Sequence, residues 1–124
     1  MHTYLTYGAF GWLVFTGMAH FVIDVVSQYL RGKRPPGVET TLYYGLNSAF
    51  ALGQVLFGLI CVWIAWRQPG LLTERPVVAL CLAGAVAWLT ITFAFMGYWE
   101  PKMNAGIFAA LLIAALLTAP RASP

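Results

Sequence analysis

The sequence predicts an all-α integral membrane protein: an antiparallel four-helix bundle forming a single domain over residues 1–124. Three observations predict it. The chain is 60% hydrophobic and only 9% charged, whereas a soluble domain carries about 25% charged residues. Its apolar residues gather into four stretches, each near the ~20 residues that cross a hydrocarbon core. Breaks rich in Pro, Gly and charge separate them, as turns require. A chain of 124 residues is too short to hide so much apolar surface in a water-soluble core, so lipid is its expected solvent.

The first stretch spans 7–30. It opens without a basic segment and runs longer than the apolar core of a cleavable signal, so it is expected to remain as a membrane helix. Arg31-Gly32-Lys33-Arg34-Pro35-Pro36-Gly37 ends it. The second, 42–66, stops at Arg67-Gln68-Pro69-Gly70, and Glu74-Arg75-Pro76 leads into the third, 77–99. Glu100-Pro101-Lys102 is the expected break before the fourth, 103–119, with Pro suited to a first helical turn. So short a connection makes helices 3 and 4 antiparallel neighbours. The fourth stretch is short and should stand nearly upright. Residues 120–124 are expected to be an unstructured tail.

Charge suggests an orientation. Arg31, Lys33, Arg34 and Lys102 fall on the side of the 1–2 and 3–4 connections, against Arg67, Arg75 and Arg121 on the side of the termini. The positive-inside rule then places the connections in the cytoplasm and both termini outside it, as in a bacterial inner membrane. The basic residues form no stripe with interleaved aromatics, so a nucleic-acid partner is not expected. Membrane lipid is the expected partner, with a homodimer or a larger membrane complex as further options. Tyr4, Tyr7, Tyr43, Tyr44, Trp63, Trp66, Tyr98 and Trp99 sit where interfacial anchors belong.

The polar residues inside the stretches carry the functional signal. Asp24 is an acid within an apolar helix, and His20 lies one turn before it on the same face. An ionisable group at such depth costs a few kcal/mol and usually faces a bundle interior or a wet cavity. At ~1.5 Å per residue, Asp24, Asn47 and Thr92 form one layer, roughly 10 Å deep. His20 and Trp88 form a second near the midplane, with Gln54 a little deeper, and Glu100 stands at the mouth. Thr16, His20 and Asp24 make a stripe on helix 1 that should face Asn47, Gln54 and Cys61 on helix 2. The expectation is a polar cavity with His20, Asp24, Asn47, Gln54, Trp88, Thr92 and Glu100 around a ligand. The competing reading is that these groups bond to each other as interhelical glue, and that Thr90 and Thr92 bond their own helix. For Glu100 the simpler reading is that it caps helix 4 and meets its positive dipole end.

Other chemistry finds little support. Two histidines, with His2 at the opposite side from His20, are too few for a stable metal site in one chain. Cys61 and Cys81 lie at matching depth and read as core thiols, a buried disulfide being geometrically conceivable. Gly45-Ala49-Gly53 and Gly106-Ala110-Ala114 are small-residue runs that let helices approach, within the chain or in a dimer.

The segment Gly17-Met18-Ala19-His20-Phe21, followed by Asp24, resembles the first helix of small bacterial four-helix membrane proteins, DoxX-like families among them. The stretch 47–58, with Gly53 and Gly58, is similar. This resemblance implies a fold and a membrane location and carries no chemistry. Length and helix count also resemble small multidrug-resistance transporters, whose membrane-embedded acid could match only Asp24. The remaining helices lack that family's motifs.

Three functions follow as expectations. The first is a membrane bundle that binds a small amphipathic or lipid-like molecule. The second is a membrane enzyme using His20 and Asp24 as an acid–base pair on an apolar substrate. The third is a dimeric proton-coupled transporter with Asp24 as the coupling acid.

Overall fold

A computed structural model describes residues 1–120. The four residues beyond lie outside it, and with them nearly all of the expected tail. The described secondary structure is entirely helical. α1 is His2–Leu30, α2 is Val38–Arg67, α3 is Arg75–Phe95 and α4 is Glu100–Leu117, each long and apolar enough to cross a membrane. A 3-10 turn, Pro69–Thr73, joins α2 to α3.

The helix ends differ from the sequence reading for local reasons. α1 starts at His2 rather than at residue 7, because nothing in its first turn breaks a helix and the Thr6 hydroxyl bonds the His2 carbonyl at 2.9 Å. It stops at Gly32, whose φ of 59° is left-handed. Gly32 N–H donates to the Tyr29 carbonyl and Lys33 N–H to the Gln28 carbonyl, the paired bonds of a glycine C-cap. α3 stops at Phe95 because Met96 turns extended, with φ −107° and ψ 120°. α4 then begins at Glu100, with Pro101 in its first turn where a missing N–H is harmless. The connection between α3 and α4 is therefore 96–99, and it carries Tyr98 and Trp99.

α1 is the spine. It lies along α2 on one side and α4 on the other, and α3 packs on α4. α1 and α2 cross at two glycines. A Cβ on Gly17 would stand 3.0 Å from Gln54 and Val55 side-chain atoms, and one on Gly58 would stand 2.6 Å from Val14 and 2.9 Å from the Phe10 carbonyl. The two small-residue runs expected at helix contacts are not those crossings. A Cβ on Gly45, Gly53 or Gly106 meets no atom within 4 Å. α1 and α4 are tied by Trp12 Nε1, which donates to the Asn104 carbonyl at 3.2 Å, and by His2 Nδ1 against the Ala115 carbonyl at 2.7 Å.

One aromatic ring from each helix closes the middle of the assembly. Phe10 meets Phe57 at 6.3 Å, Phe57 meets Trp88 at 5.3 Å, Trp88 meets Phe108 at 6.0 Å and Phe108 returns to Phe10 at 5.9 Å, all tilted or edge-on. Such pairs contribute about 0.5–1.5 kcal/mol each beyond simple burial. Gly84 gives Trp88 room to fold back, since a Cβ there would stand 3.0 Å from the indole. On one side of this quartet Cys61 and Cys81, both free and buried, adjoin each other and seal α2 to α3. On the other side α2 and α3 part.

Gly58→Ala is expected to destabilise the bundle by about 1–3 kcal/mol, because backbone as well as side chain must move. Gly45→Ala should be neutral or stabilise by about 0.5–1 kcal/mol, since it lowers chain entropy in a helix interior. Reversible unfolding in mixed micelles measures both, and equal stabilities would contradict the close α1–α2 crossing.

Candidate functional site

The polar stripe of α1 continues for four residues, Thr16, His20, Asp24 and Gln28, through a change of helix type. Residues Phe21–Val26 form a π-helical turn, closed by Ser27 N–H to the Val22 carbonyl. Four of those six residues, Val22, Ile23, Val25 and Val26, are β-branched and crowd a normal turn. In an α-helix a step of four residues overshoots one turn by about 40°. The wider π turn removes part of that overshoot and keeps Asp24 over His20 and Gln28 over Asp24. π turns of this kind recur at functional sites.

His20 is buried, with both ring nitrogens engaged. Nδ1 lies 3.0 Å from Asp24 Oδ2, and Nε2 lies 2.9 Å from Asn47 Oδ1. The Asn47 amide is oriented by its other end, where Nδ2 donates to the Tyr43 carbonyl at 2.8 Å. A carbonyl only accepts, so the nitrogen must be on that side and the oxygen must face His20. Nε2 therefore carries a hydrogen and donates to Asn47, and Nδ1 faces the Asp24 carboxyl. No buried side-chain nitrogen or oxygen among the described residues lacks a partner.

Asp24 extends the network outward. Gln28 Nε2 reaches Asp24 Oδ1 at 3.5 Å and Tyr43 Oη at 3.3 Å, and Gln28 Oε1 accepts from Arg34 Nε at 3.3 Å. The Arg34 guanidinium lies 3.4 Å above the centre of the Tyr43 ring, close enough for cation–π attraction. Burial, and after it the nearby Asp24 carboxylate, pushes the Tyr98 phenol above its ordinary value. It keeps its hydrogen at neutral pH.

Where α2 and α3 part, a half-open groove of about 870 Å³ lies between them. Trp88 forms its inner end. Phe50, Gly53, Ile91 and Phe95 line its length, and Asn47, Tyr43, Tyr98 and Arg34 line its outer end. Volume and lining match those of small-molecule sites, which are mostly apolar with a few placed polar groups. A second groove of about 420 Å³, between α1 and α2, is lined by Met18, Phe21, Val22, Leu52 and Val55 with Ser48 as its polar member. The Ser48 hydroxyl bonds the Tyr44 carbonyl at 2.6 Å, which leaves that groove without a polar end. A crevice of about 310 Å³ beside Trp63, Arg67 and Gln68 touches none of the polar stripe.

The structure sorts the seven residues singled out in the sequence. His20, Asp24 and Asn47 form one hydrogen-bonded chain, and Asn47 and Trp88 border the groove. His20 and Asp24 stand behind its wall, with the Phe50 ring edge-on to His20 at 5.2 Å. Gln54 is only 4% exposed and packs against Gly17 at the α1–α2 seam, facing away from the groove. Thr92 is fully buried, and its hydroxyl donates to the Leu89 carbonyl at 2.9 Å, so it serves its own helix and not a ligand. Thr90 likewise bonds the Val86 carbonyl. Glu100 is exposed in the first turn of α4, makes no capping bond and does not border the groove.

Gln28, Arg34, Tyr43, Phe50 and Tyr98 complete the site and were not singled out as ligand contacts. Gln28 was legible as the next four-residue step of the α1 stripe, and Tyr43 as one turn before Asn47. Tyr98 reaches the site only because α3 stops at Phe95. Comparisons of the chain with protein families, with curated proteins and with solved structures give no match.

Asn47→Leu removes the acceptor for His20 Nε2 and is expected to destabilise the protein by about 1–3 kcal/mol in the same unfolding assay. Nitrogen-15 spectra of the His20 ring should show Nε2 protonated at and around neutral pH. A bare Nε2 would contradict the tautomer that the Asn47 amide imposes.

Proposed function

We propose that this chain is a multi-pass membrane protein, an antiparallel four-helix bundle, that binds a small amphipathic molecule in the groove between α2 and α3. The observation that carries the reading is the groove's polarity: apolar and aromatic along its length, with hydrogen-bonding side chains at one end. A ligand with a polar head and an apolar body matches that lining.

The outer surface supports the membrane setting. Phe15, Ile23, Ile60, Trp63, Val86 and Phe93 are each more than half exposed. A water-soluble monomer rarely shows contiguous apolar patches on this scale. The helices pair in opposite chain directions, as Gly17 with Gln54 and Gly58 with Phe10 illustrate. Arg31, Lys33, Arg34 and Lys102 at one end, against Arg67, Arg75 and Arg121 at the other, favour a cytoplasmic position for the first. The polar end of the groove then faces the cytoplasmic leaflet.

Binding is favoured over acid–base catalysis because His20 has no free nitrogen toward the groove. Nδ1 is held by Asp24 and Nε2 by Asn47. A general base must reach its substrate's proton directly or through one water, and Phe50 and Asn47 stand between. Asp24 is turned inward to His20, which gives a second subunit no coupling acid to approach.

Gly53→Leu tests the reading. Gly53 lines the groove, and a Cβ there meets no atom within 4 Å. The variant should fill the groove and fold at least as stably as the native protein. Mass spectrometry of organic extracts from the purified protein should then show an amphiphile retained by the native chain and lost from Gly53→Leu. Equal retention in both would reject the groove as the binding site.

A further inference from the structure

We propose that the groove selects an anionic, single-chain amphiphile, with the Arg34 guanidinium as the fork that receives its headgroup. This rests on the groove reading above and adds the sign of the headgroup and the size of the tail.

Arg34 is the charged residue of the groove wall. It sits in the connection after α1, where an arginine would ordinarily be free in solvent. Here two contacts fix it: the stack on Tyr43 at 3.4 Å and the Nε bond to Gln28 Oε1 at 3.3 Å. Gln28 is in turn held by Tyr43 and Asp24. With Nε used, the two terminal amino groups remain to donate side by side. The ion pair found among the described residues is His20 with Asp24, and no carboxylate is paired with Arg34. A pre-oriented guanidinium without a counter-ion recognises planar or tetrahedral oxyanions through paired hydrogen bonds. Tyr43 strengthens the fit: its oxygen accepts from Gln28, which leaves its own hydrogen for a ligand.

The surrounding charges agree with an anion. Asp24 is paired with His20 at 3.0 Å. Glu100 stands outside the groove wall near Tyr98. Arg31, Lys33, Arg34 and Lys102 at the same end outnumber Glu39 and Glu100, and the net positive field draws anions toward the mouth.

Size sets the tail. A non-hydrogen atom with its hydrogens takes about the room of a water, roughly 30 Å³. A groove of about 870 Å³ therefore holds on the order of 30 such atoms. That is room for one headgroup with one long chain. Trp88 stands at the inner end of the groove.

The test is native mass spectrometry of the full chain in detergent, titrated with hexadecanoate, hexadecyl phosphate, hexadecanol, hexadecyltrimethylammonium and a two-chain phosphatidate. Both single-chain anions should bind about tenfold more tightly than the alcohol, the increment expected of a charged hydrogen bond. The ammonium should bind more weakly than the alcohol. Arg34→Gln should bring the anions down to the affinity of the alcohol and leave the alcohol unchanged. Arg34→Lys should restore only part of the preference, because a point charge lacks the planar fork. Circular dichroism and unfolding confirm that each variant is folded. Equal affinity of anion and alcohol for the native chain overturns the proposed fork, as does an Arg34→Gln loss that falls equally on both. Phosphatidate binding as tightly as hexadecyl phosphate overturns the single-chain assignment. Failure of every probe to bind, or binding unaffected by Gly53→Leu, overturns the groove reading itself.

Discussion

The closed ring of Phe10, Phe57, Trp88 and Phe108 is the interaction on which the rest of the structure depends. Each helix contributes one side chain, so the quartet joins all four at a single level. Helices surrounded by lipid tails gain little from hiding apolar surface against each other and rely on close packing. Interlocked rings supply that packing. They also divide the α2–α3 seam in two. On the side of Cys61 and Cys81 the helices touch, and on the side of Asn47 and Phe95 they do not. The groove is the unfilled half of that seam.

Polar chemistry explains why the open half does not collapse. Beyond the quartet α2 is held to α1 by a chain of hydrogen bonds, Asp24 to His20 to Asn47, and by Gln28 to Tyr43. The two bonds to His20 are 2.9 and 3.0 Å long, so α2 cannot swing toward α3 without breaking them. The His20 ring 3.0 Å from the Asp24 carboxyl gives that acid a partner, which lowers the penalty for placing it inside an apolar helix. The same network reaches the connection after α1 and fixes Arg34 at the mouth. One set of residues thus both holds the groove open and furnishes its polar end.

The legible part of the site was its axis. Spacing alone put His20 and Asp24 on one face, and depth matching brought Asn47 toward them. Depth is a single coordinate and says nothing about which way a side chain turns. Thr92 shares the layer of Asp24 yet bonds its own helix, and Gln54 shares a stripe with Asn47 yet packs on Gly17. The π turn at Phe21–Val26 was not legible, because β-branched runs occur in ordinary membrane helices as well. Tyr43 and Tyr98 fitted the expectation for interfacial anchors, and that expectation hid their place in the groove wall. Gly45, Gly53 and Gly106 of the small-residue runs make no close approach within the chain. Gly17 and Gly58 make the close crossing, and each stands outside the runs that spacing selected.

By itself the sequence determined the number of helices, their apolar character and the acid–imidazole pair, because hydrophobic runs, breakers and four-residue spacing are local properties of a chain. It also marked the neighbourhoods of the breaks, at Gly32, Pro76 and Pro101, since those residues restrict the backbone directly, although α3 and α4 begin at Arg75 and Glu100 and not at 77 and 103. Only the tertiary structure decided which helices touch, that α2 and α3 meet at one end and part at the other, and that Arg34, Tyr43 and Tyr98 converge on the gap. Those outcomes depend on the fit of rings and glycines from four separate segments. Such fit is a property of the packed helices together and is written in no single stretch of sequence.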